Sequence, residues 1–298
     1  MSCFIGSLLC FFDLVAYVCT LGPIWTLIKS FNSYPRIVNV SSKDDAARRR
    51  DYTLTGLVES PYPNDNVTTL TDLFLYATKK FADRPCFGTR DYLGELSEPD
   101  PAKGQRFKPK HFGQTSWMTY GEVEERVKNF GSGLRNLGME PQPDPSTIKH
   151  FDEATGNFTL CIYENTCADW LSACQGSFSQ NMVTATVYAT MGLDSLKDIV
   201  TECSGYALLC NRSILATVGK MAASMPTLKV IIYSDDMVKK EERMQKPEAV
   251  IQEIQAQHEG RIRVMSVAEV IQLGREKPVR GRSKRRITAR ILIRCCAV

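Results

Sequence analysis

The sequence predicts an α/β fold in which a largely parallel sheet is flanked by helices and preceded by a membrane anchor helix. Three observations carry that expectation. Residues 158–212, FTLCIYENTCADWLSACQGSFSQNMVTATVYATMGLDSLKDIVTECSGYALLCNR, alternate short apolar runs with segments of helical period; the alternation continues to Leu273; and residues 3–28 are apolar apart from Asp13. Thr159–Tyr163 and Met182–Tyr188 have the β-branched and aromatic content of buried strands. Between them Cys167, Trp170, Leu171, Cys174 and Phe178 recur at helical spacing, and Thr166 with Asp169 reads as a capping box. Leu193, Leu196, Ile199, Val200 and Cys203 share a face of the next helix, and Tyr206–Cys210 is a third strand. Strands joined through helices imply parallel pairing, because a parallel crossover needs a dozen or more residues.

From the start of the chain, the apolar run 3–28 is long enough to cross a bilayer core of about 30 Å. Lys29, Arg36, Lys43, Arg48, Arg49 and Arg50 follow it, so the positive-inside rule puts the remainder on the cytoplasmic side and leaves the sequons at Asn39, Asn66, Asn157 and Asn211 unused. Residues 31–69, with Pro35, Pro61 and Pro63, read as an extended linker. Leu73, Phe74, Ala77 and Phe81 predict a helix over 71–81. Strands at Cys86–Arg90 and Gln114–Met118 bracket a loop at 94–113 and predict a hairpin. Thr119 and Glu122 open a helix by a capping box, with Val123, Val127, Phe130, Leu134 and Leu137 inward and Gly138 ending it. After a loop at 139–157 and the stretch quoted above come a helix over 214–224, a strand over 228–233 and a charged helix over 239–258 that Pro247 splits. A strand over 261–266 and a helix over 267–273 complete the alternation.

Composition excludes some functions. The net charge is +4, but Arg280, Arg282, Lys284, Arg285, Arg286, Arg290 and Arg294 lie in the last nineteen residues, and without those seven the rest stands near −3. Such a body lacks the basic excess of a nucleic-acid binder. The 11 cysteines contain no C-x-x-C pair, which removes zinc and thioredoxin-like readings. Cys161, Cys167, Cys174, Cys203 and Cys210 fall on strands or inward helix faces and are expected as buried, reduced, apolar fillers.

The usual catalytic constellations are missing. No G-x-G-x-x-G follows a strand, no G-x-S-x-G occurs, and Gly219-Lys220 is followed by Met221 with no glycine-rich loop before it. His111, His150 and His258 are far apart and are read as solvated. Asp169, in the first turn of its helix, is read as a capping residue rather than an acid catalyst. Tyr163-Glu164-Asn165 stands at the carboxyl end of a strand, where open α/β sheets bind ligands, and is read as a turn and cap. No catalytic, cofactor-binding or metal residue is assigned.

YTLTGLVESPYPN, TRDYLGE, WMTYGEVEERVKNFGSGLRNLGM and CIYENTCADWLSACQGSFSQNMVTATVYATMGLDSLKDIVTECSGYALLCN, in this order between Asp51 and Lys277, resemble the amino-terminal part of eukaryotic long-chain fatty acyl-CoA synthetases. These are ligases of the adenylate-forming superfamily. The resemblance implies an N-terminal subdomain of that fold, and a reaction in which a fatty acid and MgATP give an acyl-adenylate and pyrophosphate, after which CoA displaces AMP. ATP, Mg2+ and CoA are thus the cofactors and substrates implied for the full-length family. Its TSGTTGxPKG-type phosphate loop, TGD segment and carboxy-terminal lysine have no counterpart here, so no nucleotide residue is carried over and none of these ligands is expected to bind these residues well. The expected organisation is an anchor (1–30), a linker (31–69), a partial adenylate-forming domain (70–277) and a basic tail (278–298). The tail's composition changes abruptly after Lys277, as a premature stop or shifted reading frame would make it; its ending, Cys295-Cys296-Ala297-Val298, fits a prenylation box poorly. The competing expectation is a membrane-tethered, non-catalytic module that pairs with a full-length synthetase.

Overall fold

The computed structural model describes residues 36–39, 48–50, 67–96, 109–143 and 156–281. The anchor at 3–28, His150 and the segment 282–298 lie outside the described residues. Among those that are described, no helix is long and apolar enough to cross a membrane. The chain divides into two units, Met1–Pro63 and Asn64–Val298.

In the first unit, β1 (Arg36–Asn39) pairs antiparallel with β2 (Arg48–Arg50). This ribbon falls inside the stretch read as extended linker. Ile37-Val38 favours extended backbone, whereas Arg48–Arg50 carries no strand signal of its own and owes its conformation to pairing.

The second unit opens with α1 (Leu70–Lys80), capped by Thr69 and Asp72 in a reciprocal box. The hairpin follows, β3 (Pro85–Glu95) against β4 (Lys110–Thr119), with three register irregularities. It is longer than its sequence signal because residues 91–95 and 110–113 lack regular alternation and are drawn in by the ladder. α2 (Tyr120–Asn136) begins at the expected Thr119–Glu122 box, and Val123, Val127, Phe130 and Leu134 are buried along it. Gly138 takes a φ of +95° just past its end, a conformation open to glycine.

The parallel sheet is then built by β5 (Thr159–Tyr163), α3 (Ala168–Ser179), β6 (Val183–Thr186), α4 (Leu193–Glu202), β7 (Ala207–Asn211), α5 (Leu215–Met221), β8 (Val230–Ser234), α6 (Lys240–Arg243), α7 (Glu248–Gln257), β9 (Arg263–Ser266) and α8 (Val267–Glu276). Pro247 stands between α6 and α7, as its missing N–H and fixed φ dictate. The strand order is β6-β5-β7-β8-β9, all parallel. β5 is thus laid down first and receives β6 on one side and β7 on the other.

Both faces of the sheet are covered, so the central strands β5, β7 and β8 are apolar along most of their length, while the edge strands keep polar residues, Thr184 and Thr186 in β6 and the exposed Arg263 in β9. Leu160, Ile162, Ala207, Leu209, Val230 and Ile232 point into one core with Phe130, Leu134, Ala173, Phe178 and Val270 of α2, α3 and α8. Cys161, Tyr163, Leu208, Cys210, Ile231 and Tyr233 point into the other, with Leu196, Val200, Val218, Ile251 and Ile254 of α4, α5 and α7. The period-two alternation of a strand divides neighbours between the two cores.

Glycines set the spacing of the first helix layer. A Cβ on Gly274 of α8 would lie 1.8 Å from the Asn129 carbonyl oxygen of α2, and one on Gly133 would lie 2.1 Å from that of Val270. Across the other contact of α2, a Cβ on Gly131 would meet the Gly176 carbonyl at 2.6 Å. Gly274→Ala is therefore expected to destabilise the protein by about 1–3 kcal/mol although alanine is the better helix former, because backbone must move to admit the methyl. Gly192→Ala, with nothing within 4 Å of the new Cβ, is expected to stay within about 1 kcal/mol of wild type. Urea denaturation midpoints of the two variants check both.

Candidate functional site

In an open parallel sheet the strand order reverses at one place, and the diverging connections leave a crevice at the carboxyl ends there. Here that place is between β5 and β7. Glu164 follows β5, Asn211 ends β7, and Ser234 with Asp235-Asp236 ends and follows β8. The topology alone brings these side chains to one edge.

Glu164 is only 4% exposed. Its Oε1 accepts from the Asn165 N–H at 2.8 Å and its Oε2 from Asn211 Nδ2 at 3.0 Å, across the reversal. Asn211 Nδ2 also donates to the Asp236 carbonyl at 2.9 Å, and its Oδ1 accepts from Ser213 N and Oγ. Burial raises the Glu164 pKa to about 7, opposed by the bonds from Asn165 and Asn211 and reinforced by the charges of Asp236 and Asp169. Desolvation likewise raises the carboxyls of Asp235 and Asp236; Arg212 and Arg243 respectively work against it.

Beside this edge α2 and α3 meet through charge. Arg126 donates from Nη2 to Asp169 Oδ1 and from Nε to Ser172 Oγ at 3.1 Å. The second Asp169 oxygen accepts from Ser234 Oγ at 3.0 Å, which ties the α2–α3 pair to the end of β8. Arg212 lies 3.1 Å from Asp235 and stands over the Tyr233 ring at 5.5 Å. A cavity of about 200 Å³ opens here, lined in part by Thr89 and Met118 of the hairpin and by Arg126, Asp169, Asp236 and Arg243.

The structure corrects the reading of Asp169. The helix is capped by Cys167, whose Sγ accepts from the Trp170 N–H at 3.4 Å, so neither Thr166 nor Asp169 closes the cap. Asp169 instead binds Arg126, forty-three residues earlier, and local spacing carries no trace of that partnership. Glu164 does bond the following N–H, as a turn residue does, but its second oxygen spans the switch point. His258 is also tied in: its Nε2 lies 2.7 Å from the Gly219 carbonyl oxygen and its Nδ1 faces Arg261, while His111 is exposed. Gly219 serves helix packing, since a Cβ there would fall 2.3 Å from Ile254 Cγ1. Cys161, Cys174 and Cys210 are buried and free, and burial pushes the Cys174 thiol up to about 11 and that of the half-buried Cys167 up to about 12.

Chemically, the arrangement is a cluster of paired charges in which one buried oxygen, Asp235 Oδ1, has no hydrogen-bond partner although the Arg212 guanidinium lies 3.1 Å away. Among the described residues no group of three or more His, Cys, Asp or Glu side chains is placed to hold a metal ion. Asp169 is engaged by Arg126 and Ser234, Asp235 by the charge of Arg212, and Glu164 by Asn211 and the Asn165 N–H, and the cavity is smaller than the roughly 300–1,000 Å³ of small-molecule sites. Among the described residues none is assigned to a magnesium–nucleotide complex.

The comparisons with known proteins agree with this fold. A model of the AMP-binding enzyme family matches residues 100–271, more than half of the chain, and the chain belongs to that family. Long chain acyl-CoA synthetase 8 of Arabidopsis thaliana is 31% identical over 182 residues, which are 60% of this chain and 22% of that protein. Fatty acyl-CoA synthetase B of Dictyostelium discoideum is 24% identical over 215 residues, covering 71% and 27%. The chain thus spans about a quarter of the length of these curated relatives. Among solved structures, the adenylation domain of a carboxylate reductase from Mycobacterium chelonae superposes with a TM-score of 0.53 at 13% identity, over 73% of this chain and 30% of that one. The adenylation and carrier didomain of a carboxylic acid reductase from Segniliparus rugosus, in complex with AMP, gives 0.51 at 16% identity, over 71% and 27%.

The raised pKa of Glu164 sets a pH dependence. The folded state holds this proton to about pH 7, whereas an unfolded glutamate releases it near pH 4.5, so stability contributed by the group falls as pH rises from about 4.5 to 7 and is level above that. Glu164→Gln removes the titration at the expense of one hydrogen bond, since its amide nitrogen faces a donor. The wild type is therefore expected to lose roughly 2–3 kcal/mol relative to the variant between pH 5 and 8, measured by urea midpoints at each pH.

Proposed function

We propose that this chain forms the amino-terminal part of an AMP-forming fatty acid–CoA ligase, in which a fatty acid and ATP give an acyl-adenylate and pyrophosphate before transfer to CoA. The observation that carries the reading is the family match over residues 100–271, which takes in the hairpin strand β4, α2 and every strand of the parallel sheet with its switch point. The names of the relatives supply the substrate class: both are acyl-CoA synthetases, and one is a long-chain enzyme.

Within that reaction the described residues act as framework. Arg126, Asp169 and Ser234 fix α2, α3 and β8 to one another at the carboxyl edge, and Glu164–Asn211 bridges the paired strands β5 and β7 where the connections after them diverge. ATP supplies the adenylyl group and magnesium its charge balance; the residues that hold them are not among those described. Because the sequence has no TSGTTG-type loop, we propose that these 298 residues do not turn over by themselves. Attachment to a membrane through residues 3–28, with the domain on the cytoplasmic side, belongs to the same reading and is supported by the apolar run and the basic residues after it.

The test is pyrophosphate exchange and acyl-CoA formation with palmitate and, separately, benzoate. The 298-residue chain is expected to show neither. A chimera in which residues 1–277 replace the matching segment of a long-chain acyl-CoA synthetase is expected to activate palmitate in preference to benzoate. A folded chimera that is inactive, or that prefers benzoate, would overturn the reading.

A further inference from the structure

The second core, on the sheet face away from α2, holds a pair of thiols that the charged edge does not use. Cys161 is in the middle of β5 and completely buried, and Cys203 caps the carboxyl end of α4; their sulfurs are 3.5 Å apart although 42 residues separate them in sequence. We propose that Cys161 and Cys203 are an oxidation site at which a peroxide closes a disulfide between the central strand and the crossover helix.

The surroundings favour this pair over the other cysteines. Cys203 is partly exposed, so a small oxidant reaches it, whereas Cys161 is completely buried. The chain after Cys203 turns back sharply, with Ser204 at a φ of +51° and the Gly205 N–H returning to the Val200 carbonyl at 2.8 Å. That turn leaves room for the Cys161 sulfur, which would lie 2.6 Å from a Cβ on residue 205. The contact with Cys161 lowers the Cys203 thiol below its usual range, against desolvation, and the same contact with burial raises Cys161. Cys203, the partly exposed member of the pair, is the sulfur that meets the oxidant, and Cys161 the one that resolves it.

The chemistry balances. The Cys203 thiolate attacks one peroxide oxygen, the S–O bond forms as the O–O bond breaks, and the departing hydroxide takes the proton that the Cys203 thiol released, leaving one water and a sulfenic acid. The Cys161 sulfur then attacks Cys203; the S–S bond forms, the S–O bond breaks, and the departing hydroxide takes the Cys161 proton as a second water. Two thiols and one hydrogen peroxide become one disulfide and two waters. Bringing the sulfurs from contact to about 2.05 Å requires side-chain rotation and a small yielding of the turn at Ser204-Gly205.

The experiment uses the full 298-residue chain, reduced, freed of reductant and exposed to hydrogen peroxide. Non-reducing peptide mapping is expected to show one cross-linked species joining the peptides of Cys161 and Cys203, lighter by two hydrogen atoms and reversed by dithiothreitol. Labelling of Cys203 by N-ethylmaleimide is expected to fall to background with it. In Cys161→Ala, Cys203 is expected to stop at a dimedone-reactive sulfenic acid; in Cys203→Ala, Cys161 is expected to stay reduced. The wild-type map decides the matter even if either variant fails to fold. Oxidation of Cys203 to a sulfinic acid without the cross-link, a cross-link from Cys203 to a different cysteine, or a Cys203 still reduced when Cys167 is oxidised would each overturn the proposal.

Discussion

The constraint on which the rest of this domain depends is the close approach of α2 to its two neighbours. Helices usually pack with their axes about 8–10 Å apart, and the low end of that range is reached only where side chains are absent from the contact. Gly131 and Gly133 on α2, Gly176 on α3 and Gly274 on α8 remove them, so backbone meets backbone. The result is a helix layer thin enough to cover Leu160, Ile162, Leu209 and Ile232 with Phe130 and Leu134. It also fixes where Arg126, N-terminal to both glycines on the same helix, delivers its guanidinium. The ion pair with Asp169 is consequently a product of helix packing rather than its cause, and what it supplies is direction.

The carboxyl edge of the sheet shows the same priority of topology over local chemistry. A parallel sheet gathers the connections that follow its strands at one edge, and in this chain those connections begin Glu164, Asn211 and Asp235. Carboxylates crowded at such an edge would repel one another, and the structure answers with three arginines and one asparagine placed by α2, the turn after β7 and α6. Glu164 is the deepest of the group, and burial raises its affinity for a proton while its bonds from Asn165 and Asn211 offset that only in part.

How much of this was legible follows from what each feature depends on. The strands of the parallel sheet, the capping boxes at Thr119 and Ser266 and the split at Pro247 are local features that residue type and spacing encode, Ser266 with Glu269 three residues on as plainly as Thr119 with Glu122, whereas the ribbon of β1 and β2 is not, since Arg48–Arg50 is a strand only through its pairing. The existence of the hairpin was equally readable, but its length was not, because the outer rungs of β3 and β4 are held by each other and not by any pattern within them. The cap of α3 moved by one residue because a cysteine sulfur accepted the bond that a threonine oxygen was expected to take. Asp169 was misread for a different reason. Its position in a first helical turn is compatible with capping, and only the distance in space to Arg126 and Ser234 decides against it. The strand order, on which the whole candidate site depends, has no local signature, since nothing in β5 or β6 states on which side the chain will return.

β5 joins these lines of argument. Its odd and even residues face different cores: Leu160 and Ile162 lie under the α2 layer, Cys161 and Tyr163 under α4 and α5, and the strand then ends at Glu164. Tyr163 extends the second face outward, donating from its hydroxyl to the Met191 carbonyl at 2.6 Å just ahead of α4. The crossover helix is therefore held to β5 at both of its ends, by Tyr163 before it and by the Cys161–Cys203 contact after it. A covalent bond at the second point would fix the helix against the strand whose carboxyl end carries Glu164. Because a close-packed core transmits small displacements instead of absorbing them, any shift of β5 imposed from the thiol face is expected to be felt at the Glu164–Asn211 bond, which spans the one gap that the strand order leaves open.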